Sequence, residues 1–188
     1  MQRLMIAACL LSLSLAGTSF AQDEKVRVVM ETNMGKVTIE LNAEKAPITV
    51  KNFLQYVDDK HYDGTVFHRV IADFMIQGGG FEPGMKEKKT RDSIKNESTN
   101  NLSNERGTIA MARTGDPNSA TAQFYINTVD NGKSLDRKQG SAGYAVFGKV
   151  VEGMNVVDSI RRVETATAGD FENVPVKDVI IKSIRRVK

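Results

Sequence analysis

The sequence predicts a mainly β domain, a closed antiparallel β-barrel capped by two α-helices. Short runs of β-branched and aromatic residues dominate the chain. Only two helical patterns occur, far apart in sequence and without β-α-β alternation, which argues against a parallel sheet. The Val, Ile, Phe and Leu positions that point inward suffice to fill a barrel of eight strands, leaving no lumen for a small-molecule carrier.

The first stretch is set apart from that domain. Met1 to Arg3 is a short positive region, Leu4 to Leu15 is apolar, and Ser19-Phe20-Ala21 places small residues where a signal peptidase reads. Residues 1–21 are therefore expected to be a cleaved leader, and the mature domain to span 22–188. As a membrane span the apolar run is too short, and no stable membrane association is expected. Cleavage after Ala21 also removes Cys9, the one cysteine of the 188-residue chain. The mature protein then has no disulfide and no thiolate site, although it is bound for an oxidising compartment, the periplasm. Of 26 basic residues only Arg3 leaves with the leader, against 23 acidic ones, so charge is nearly balanced. The pairs Arg161-Arg162 and Arg185-Arg186 lie apart inside apolar-patterned elements, and nucleic acid is not an expected partner.

The elements follow in order. Val26 to Thr32 and Lys36 to Asn42 flank a turn at Asn33-Met34-Gly35. In the second run Val37, Ile39 and Leu41 alternate with Thr38, Glu40 and Asn42, giving one buried and one wet face. Pro47 opens a helix at a position where its missing N–H costs nothing, and Val50, Phe53, Leu54 and Val57 form one apolar stripe. Thr65 to Ile71 is the next strand. Glu82 to Arg106 is polar and is expected to run over the surface. Strands are predicted at Gly107–Ala112, Gln123–Thr128, Tyr144–Val151 and within Val176–Val187. A second helix is predicted over Glu152–Val163 with Met154, Val157 and Ile160 inward, and Gly148 reads as a bulge or a close approach.

The stretch Phe67 to Gly80 carries the chemistry. Strict period two places Phe67, Arg69 and Ile71 on one face of their strand and Val66, His68 and Val70 on the other. Both faces are largely apolar, so a guanidinium at Arg69 costs free energy unless it has partners or a purpose. Phe74, Met75 and Ile76 add apolar surface, and Gln77 adds an amide that both donates and accepts. His68 beside Arg69 reads as a structural histidine, because neighbouring strand residues face opposite ways. Gly78-Gly79-Gly80 lacks the following helix that a phosphate cradle needs. The chain has no Gly-x-Ser-x-Gly, no phosphate-loop motif and no His-Glu-x-x-His, and His61 and His68 are its two histidines. No metal site and no cofactor are expected.

Phe67-His-Arg-Val-Ile, Phe74-Met-Ile-Gln-Gly-Gly79, Gly107-Thr-Ile-Ala-Met-Ala112, Gln123-Phe-Tyr-Ile and Val146-Phe-Gly-Lys-Val150 together resemble the cyclophilin family of peptidyl-prolyl cis-trans isomerases. The blocks are ordered along about Val26 to Ile184. The leader, Gly80 where many members have Asp, and the segment Met111 to Thr121 look like the bacterial periplasmic branch. The resemblance implies an eight-stranded barrel with a helix over each end, and an enzyme that accelerates rotation about X-Pro bonds in exported polypeptides. It implies no cofactor, and the chain is expected to be a monomer. It places the catalytic arginine on Arg69 and the substrate-binding glutamine on Gln77. It places the proline pocket on Phe74, Met75, Tyr125 and Leu135, and the peptide groove on Ala112, Arg113 and Gln123. Tyr144 stands where many members have histidine, Tyr125 where phenylalanine is common, and Ser134 where eukaryotic members carry a tryptophan.

Overall fold

The structure, a computed structural model, describes residues 26–187. The expected cleavage site after Ala21 lies outside the described residues, as does Cys9.

Eight strands close into an antiparallel barrel. Taken in chain order these are β1 (Arg27–Thr32), β2 (Gly35–Leu41), β3 (Thr65–Ile71), β4 (Met75–Gly78), β7 (Thr108–Met111), β8 (Phe124–Asn127), β9 (Val146–Glu152) and β12 (Ile180–Arg186). Around the barrel the order is β1, β12, β3, β4, β8, β7, β9, β2. Two small ribbons lie outside it, β5 (Phe81–Glu82) with β6 (Lys86–Glu87) and β10 (Thr165–Ala168) with β11 (Phe171–Pro175).

Alternation puts Val28 and Met30 of β1 and Val37, Ile39 and Leu41 of β2 into a core shared with Ile109, Phe124, Ile126, Phe147, Ile181 and Ile184. The barrel is a packed interior, as the inward-pointing sequence positions require. Helix α1 (Pro47–Asp58) starts with its proline in the first turn and buries Val50, Phe53, Leu54 and Val57, as its stripe predicts. Its open N-terminal amides are met from the long polar segment: the Glu97 carboxylate accepts from the Ile48 and Thr49 N–H groups and from the Thr49 hydroxyl. The second predicted helix is shorter than expected, α3 at Met154–Ile160. Glu152 still belongs to β9, and Gly153, with φ +84°, makes the turn; a Cβ there would lie 2.2 Å from the Lys36 carbonyl oxygen. Gly148 is a close approach, since a Cβ would meet the Glu40 carbonyl at 2.5 Å where β2 pairs with β9.

Three departures from the sequence reading bear on the site. A third short helix, α2 (Gly132–Leu135), forms on the outside of the barrel. The polar segment is not wholly superficial, because Asn104 is completely buried. The third departure is a β-bulge in β3. Phe67 pairs with Gly78 but Arg69 pairs with Gln77, so His68 is an extra residue in the ladder. The bulge undoes the face assignment made from strict alternation. Phe67 joins the core, Arg69 turns to the outer face, and His68 lines the same groove as Arg69 instead of the opposite side.

Candidate active site

The outer faces of β3, β4, β8 and β7 form the floor of the site. Met75 and Gln77 project outward from β4, and Tyr125 and Ala110 pair opposite one another on β8 and β7. Phe74 precedes β4, Leu135 comes from α2, and Tyr144 precedes β9. Met75, Ala110, Tyr125, Leu135 and Val146 make a second apolar cluster, distinct from the barrel core, against which Phe74, Ala112 and Tyr144 pack.

These residues enclose a pocket of about 110 Å³. Its walls are Phe74, Met75, Ala112, Tyr125, Leu135 and Tyr144, and its polar rim is Arg69, Gln77 and Arg113. Of the residues that the resemblance gives to catalysis, the proline pocket and the peptide groove, only Gln123 stands outside the lining. It is one bond away: Gln77 Nε2 donates to Gln123 Oε1 at 2.9 Å. Gly80 makes room for that contact, because a Cβ there would lie 2.5 Å from Gln123 Cγ.

The two arginines differ in what holds them. Arg69 donates through Nη1 to Gln77 Oε1 across 3.5 Å, the long limit of a hydrogen bond, and has no ion-pair partner among the described residues. Arg113 donates to the Gly143 carbonyl from Nε and Nη2, at 3.2 and 3.0 Å, and to the Thr114 carbonyl from Nη1 at 2.8 Å. Its guanidinium also lies 4.3 Å from the centroid of the Tyr144 ring, a cation–π stack.

Behind the apolar wall is a polar brace that sequence reasoning missed. Tyr125 Oη donates to Asn104 Oδ1 at 2.7 Å, and the Asn104 backbone N and Nδ2 both donate to Asp136 Oδ1 at 2.8 Å. Ser103 Oγ donates to the other Asp136 oxygen. Burial pushes the Asp136 carboxyl up, but the bonds from Ser103 and Asn104 outweigh it and hold the group below the ordinary carboxylate range. Asn131 Nδ2 donates to the Phe74 carbonyl at 2.7 Å and to Asn127 Oδ1 at 2.8 Å. Tyr125, Phe74 and Leu135 are thereby fixed relative to one another. Nothing in an Asn-rich polar run marks one of its asparagines as the buried member.

Titration contributes little here. Burial lowers His68 to about 4, helped by the neighbouring Arg69 charge and opposed by a backbone hydrogen bond to Val66, so the imidazole is neutral at ordinary pH. Burial raises the Tyr125 phenol far above its usual range. The site offers apolar walls, one guanidinium with free donors and one amide pair, and it shows no nucleophile activated by a base. Among the described residues no cluster of His, Cys, Asp or Glu could hold a metal ion.

An arginine and a glutamine on paired strands beside an apolar pocket, on the outside of an eight-stranded barrel, are the arrangement expected from the sequence blocks. The family model for cyclophilin-type peptidyl-prolyl cis-trans isomerases covers residues 27–186. The chain belongs to the cyclophilin family. A peptidyl-prolyl cis-trans isomerase of Acinetobacter baylyi is 57% identical over 158 residues, covering 84% of each chain. Isomerase A of Dickeya dadantii is 48% identical over the full length of both chains, and isomerase B of Escherichia coli is 56% identical over 84% of this chain and 97% of its own. Among solved structures, a Cryptosporidium parvum cyclophilin in the presence of the dipeptide Ala-Pro superposes with a TM-score of 0.72 at 27% identity, covering 86% of this chain and 99% of that one. The chain is thus a peptidyl-prolyl cis-trans isomerase, and cyclophilins act on proline-containing peptides.

Proposed function

We propose that this cyclophilin catalyses rotation about X-Pro bonds of exported polypeptides, with Arg69 acting on the prolyl amide and the adjoining pocket holding the proline ring. The observation that carries this reading is the Arg69 guanidinium, left with free donors at the mouth of an apolar pocket walled by Phe74, Met75, Tyr125 and Leu135.

The reaction makes and breaks no bond. Amide resonance sets a barrier of ~18–20 kcal/mol, which gives uncatalysed times of tens to hundreds of seconds. At the twisted geometry the resonance is lost and the prolyl nitrogen becomes pyramidal, with a lone pair that neither planar isomer presents. A guanidinium N–H aimed at that lone pair stabilises the twisted state selectively, which is what lowers the barrier and not merely KM. Its planar fork also reaches the prolyl carbonyl, fixing the amide from one side. The pocket holds the ring, so the acyl side rotates against a fixed proline, and its apolar walls keep water from competing for the nitrogen. Gln77, tied to Gln123, sets the position of Arg69 and offers an amide to the substrate backbone.

Reaching a turnover near ~10³ s⁻¹ from this barrier requires about 7 kcal/mol, at 1.36 kcal/mol for each tenfold. One donor directed at developing charge is typically worth ~2.7–4 kcal/mol. Arg69→Ala is therefore expected to lose about 10²- to 10³-fold in kcat/KM. Exchange spectroscopy on an Ala-Pro peptide measures it, and a variant close to the wild type would leave the pocket as the whole catalyst.

The leader-like residues 1–21 support export to the periplasm, and the mature chain is expected to act there as a monomer without membrane anchorage. Among the described residues no helix is long and apolar enough to cross a membrane. Mass spectrometry of the cell-envelope protein should give an N-terminus at Gln22; an intact Met1 would overturn the export reading, and a lipid on Cys9 would overturn cleavage after Ala21 and the absence of an anchor.

A further inference from the structure

Across Arg69 from the active-site pocket lies a second groove whose far wall is the β10–β11 ribbon. Arg69 and Gln77 line both cavities, so the two lie side by side. The ribbon is a short hairpin in which Ala168 pairs with Phe171 around Gly169 and Asp170, and β11 packs along β3. Phe171 sits at its tip, 39% exposed, which is unusual for a ring of that size. Its ring meets Phe81 edge to face, with centroids 5.4 Å apart, and Phe81 in turn lies 4.6 Å from the His68 ring. The bulge in β3 turns His68 into this groove, and the side chain is 95% buried with Nδ1 unpartnered. Two carboxylates, Asp170 and Glu172, flank Phe171 and form no ion pair among the described residues.

We propose that Phe171, Phe81 and His68 form a side-chain subsite that selects an aromatic or large aliphatic residue flanking the X-Pro dipeptide. This rests on the assignment of the neighbouring pocket to proline. A peptide whose proline occupies that pocket and whose backbone passes Arg69 has its next residues over the groove, because the cavities share that arginine. An apolar side chain laid on Phe171 covers ring surface that the fold leaves open, while the two carboxylates disfavour an acidic residue at the same place and favour a basic one. The catalytic pocket holds the proline ring, and the ribbon discriminates among the chains that carry it.

The test uses the full mature enzyme and pairs of Ala-Pro peptides that differ at one flanking position, Phe against Ser, scanned two residues to either side. For the wild type one position is expected to show a preference for Phe of about 5- to 10-fold in kcat/KM. Phe171→Ser is expected to bring the ratio at that position close to one, and the double change Asp170→Lys, Glu172→Lys to reverse a preference for Arg over Glu. Arg69→Ala should slow both peptides and leave their ratio intact. Equal rates on all pairs in the wild type, or a ratio that survives Phe171→Ser with an unchanged melting temperature, would overturn the subsite. Failure to accelerate any of the peptides would instead overturn the assignment of the pocket.

Discussion

Two arginines line the same pocket, and the fold treats them in opposite ways. Arg113 gives its donors to the Gly143 and Thr114 carbonyls and its face to Tyr144. Arg69 keeps one hydrogen bond among the described residues, at 3.5 Å. A guanidinium whose N–H groups are matched by backbone carbonyls is part of the scaffold, since each bond would have to be broken before it could serve a substrate. One whose fork is open can meet a charge that exists only at the top of the barrier, with little reorganisation. The difference separates the residue that shapes the groove from the residue that acts on the amide.

The largest effect is expected from Arg69→Ala, whose loss of about 10²- to 10³-fold in kcat/KM should come with an unchanged melting temperature, because the side chain holds nothing together. Asn104→Ala should do the reverse. It strips partners from the buried Tyr125 hydroxyl and Asp136 carboxylate, at a cost of roughly 2–4 kcal/mol in urea unfolding. Catalysis should fall only about tenfold through a loosened pocket wall.

Next comes His68. Its folded-state value of about 4 lies below the ordinary 6.5, so the unfolded chain binds the proton first as pH falls. Stability is complete above about pH 6.5 and declines toward pH 4, by roughly 2–3 kcal/mol. Burial lowers His61 as well, which acts in the same direction. Urea titrations at pH 7, 5.5 and 4.5 should show the decline, and His68→Asn should remove the larger part of it. The smallest effect on catalysis belongs to Arg113→Ala, a few-fold rise in KM with little change in kcat, as expected for a group that shapes the groove around substrate and twisted state alike.

How far these features were legible in the sequence follows from the range of the interactions. Alternation in Val37, Ile39 and Leu41 and the stripe of Val50, Phe53, Leu54 and Val57 are local, and both elements form where the patterns put them. The bulge at His68 is a property of two strands in register, and no residue type in β3 announces it. It is nevertheless what turns Arg69 outward, so the reason for the arginine was readable while its direction was not. The Asn104 brace joins residues about 20 to 30 positions apart, and a polar run looks the same whether one asparagine is buried or none. The two ribbons and α2 are too short to carry a period. The gathering of pocket residues from β3, β4, β8, α2 and the segment after β7 was legible through the family resemblance, not through any local pattern.

The open fork of Arg69 is tested most directly by placing Arg69→Lys beside Arg113→Lys in one exchange experiment on an Ala-Pro peptide, with thermal melts of both. A lysine keeps the charge but loses the planar pair of donors. Arg69→Lys is predicted to stay within about tenfold of Arg69→Ala and to melt with the wild type, whereas Arg113→Lys should retain most of the wild-type rate but melt lower, having lost the fork bonded to the Gly143 and Thr114 carbonyls. An Arg69→Lys enzyme turning over at a near-normal rate would show that charge alone suffices, and would contradict the role given to the fork.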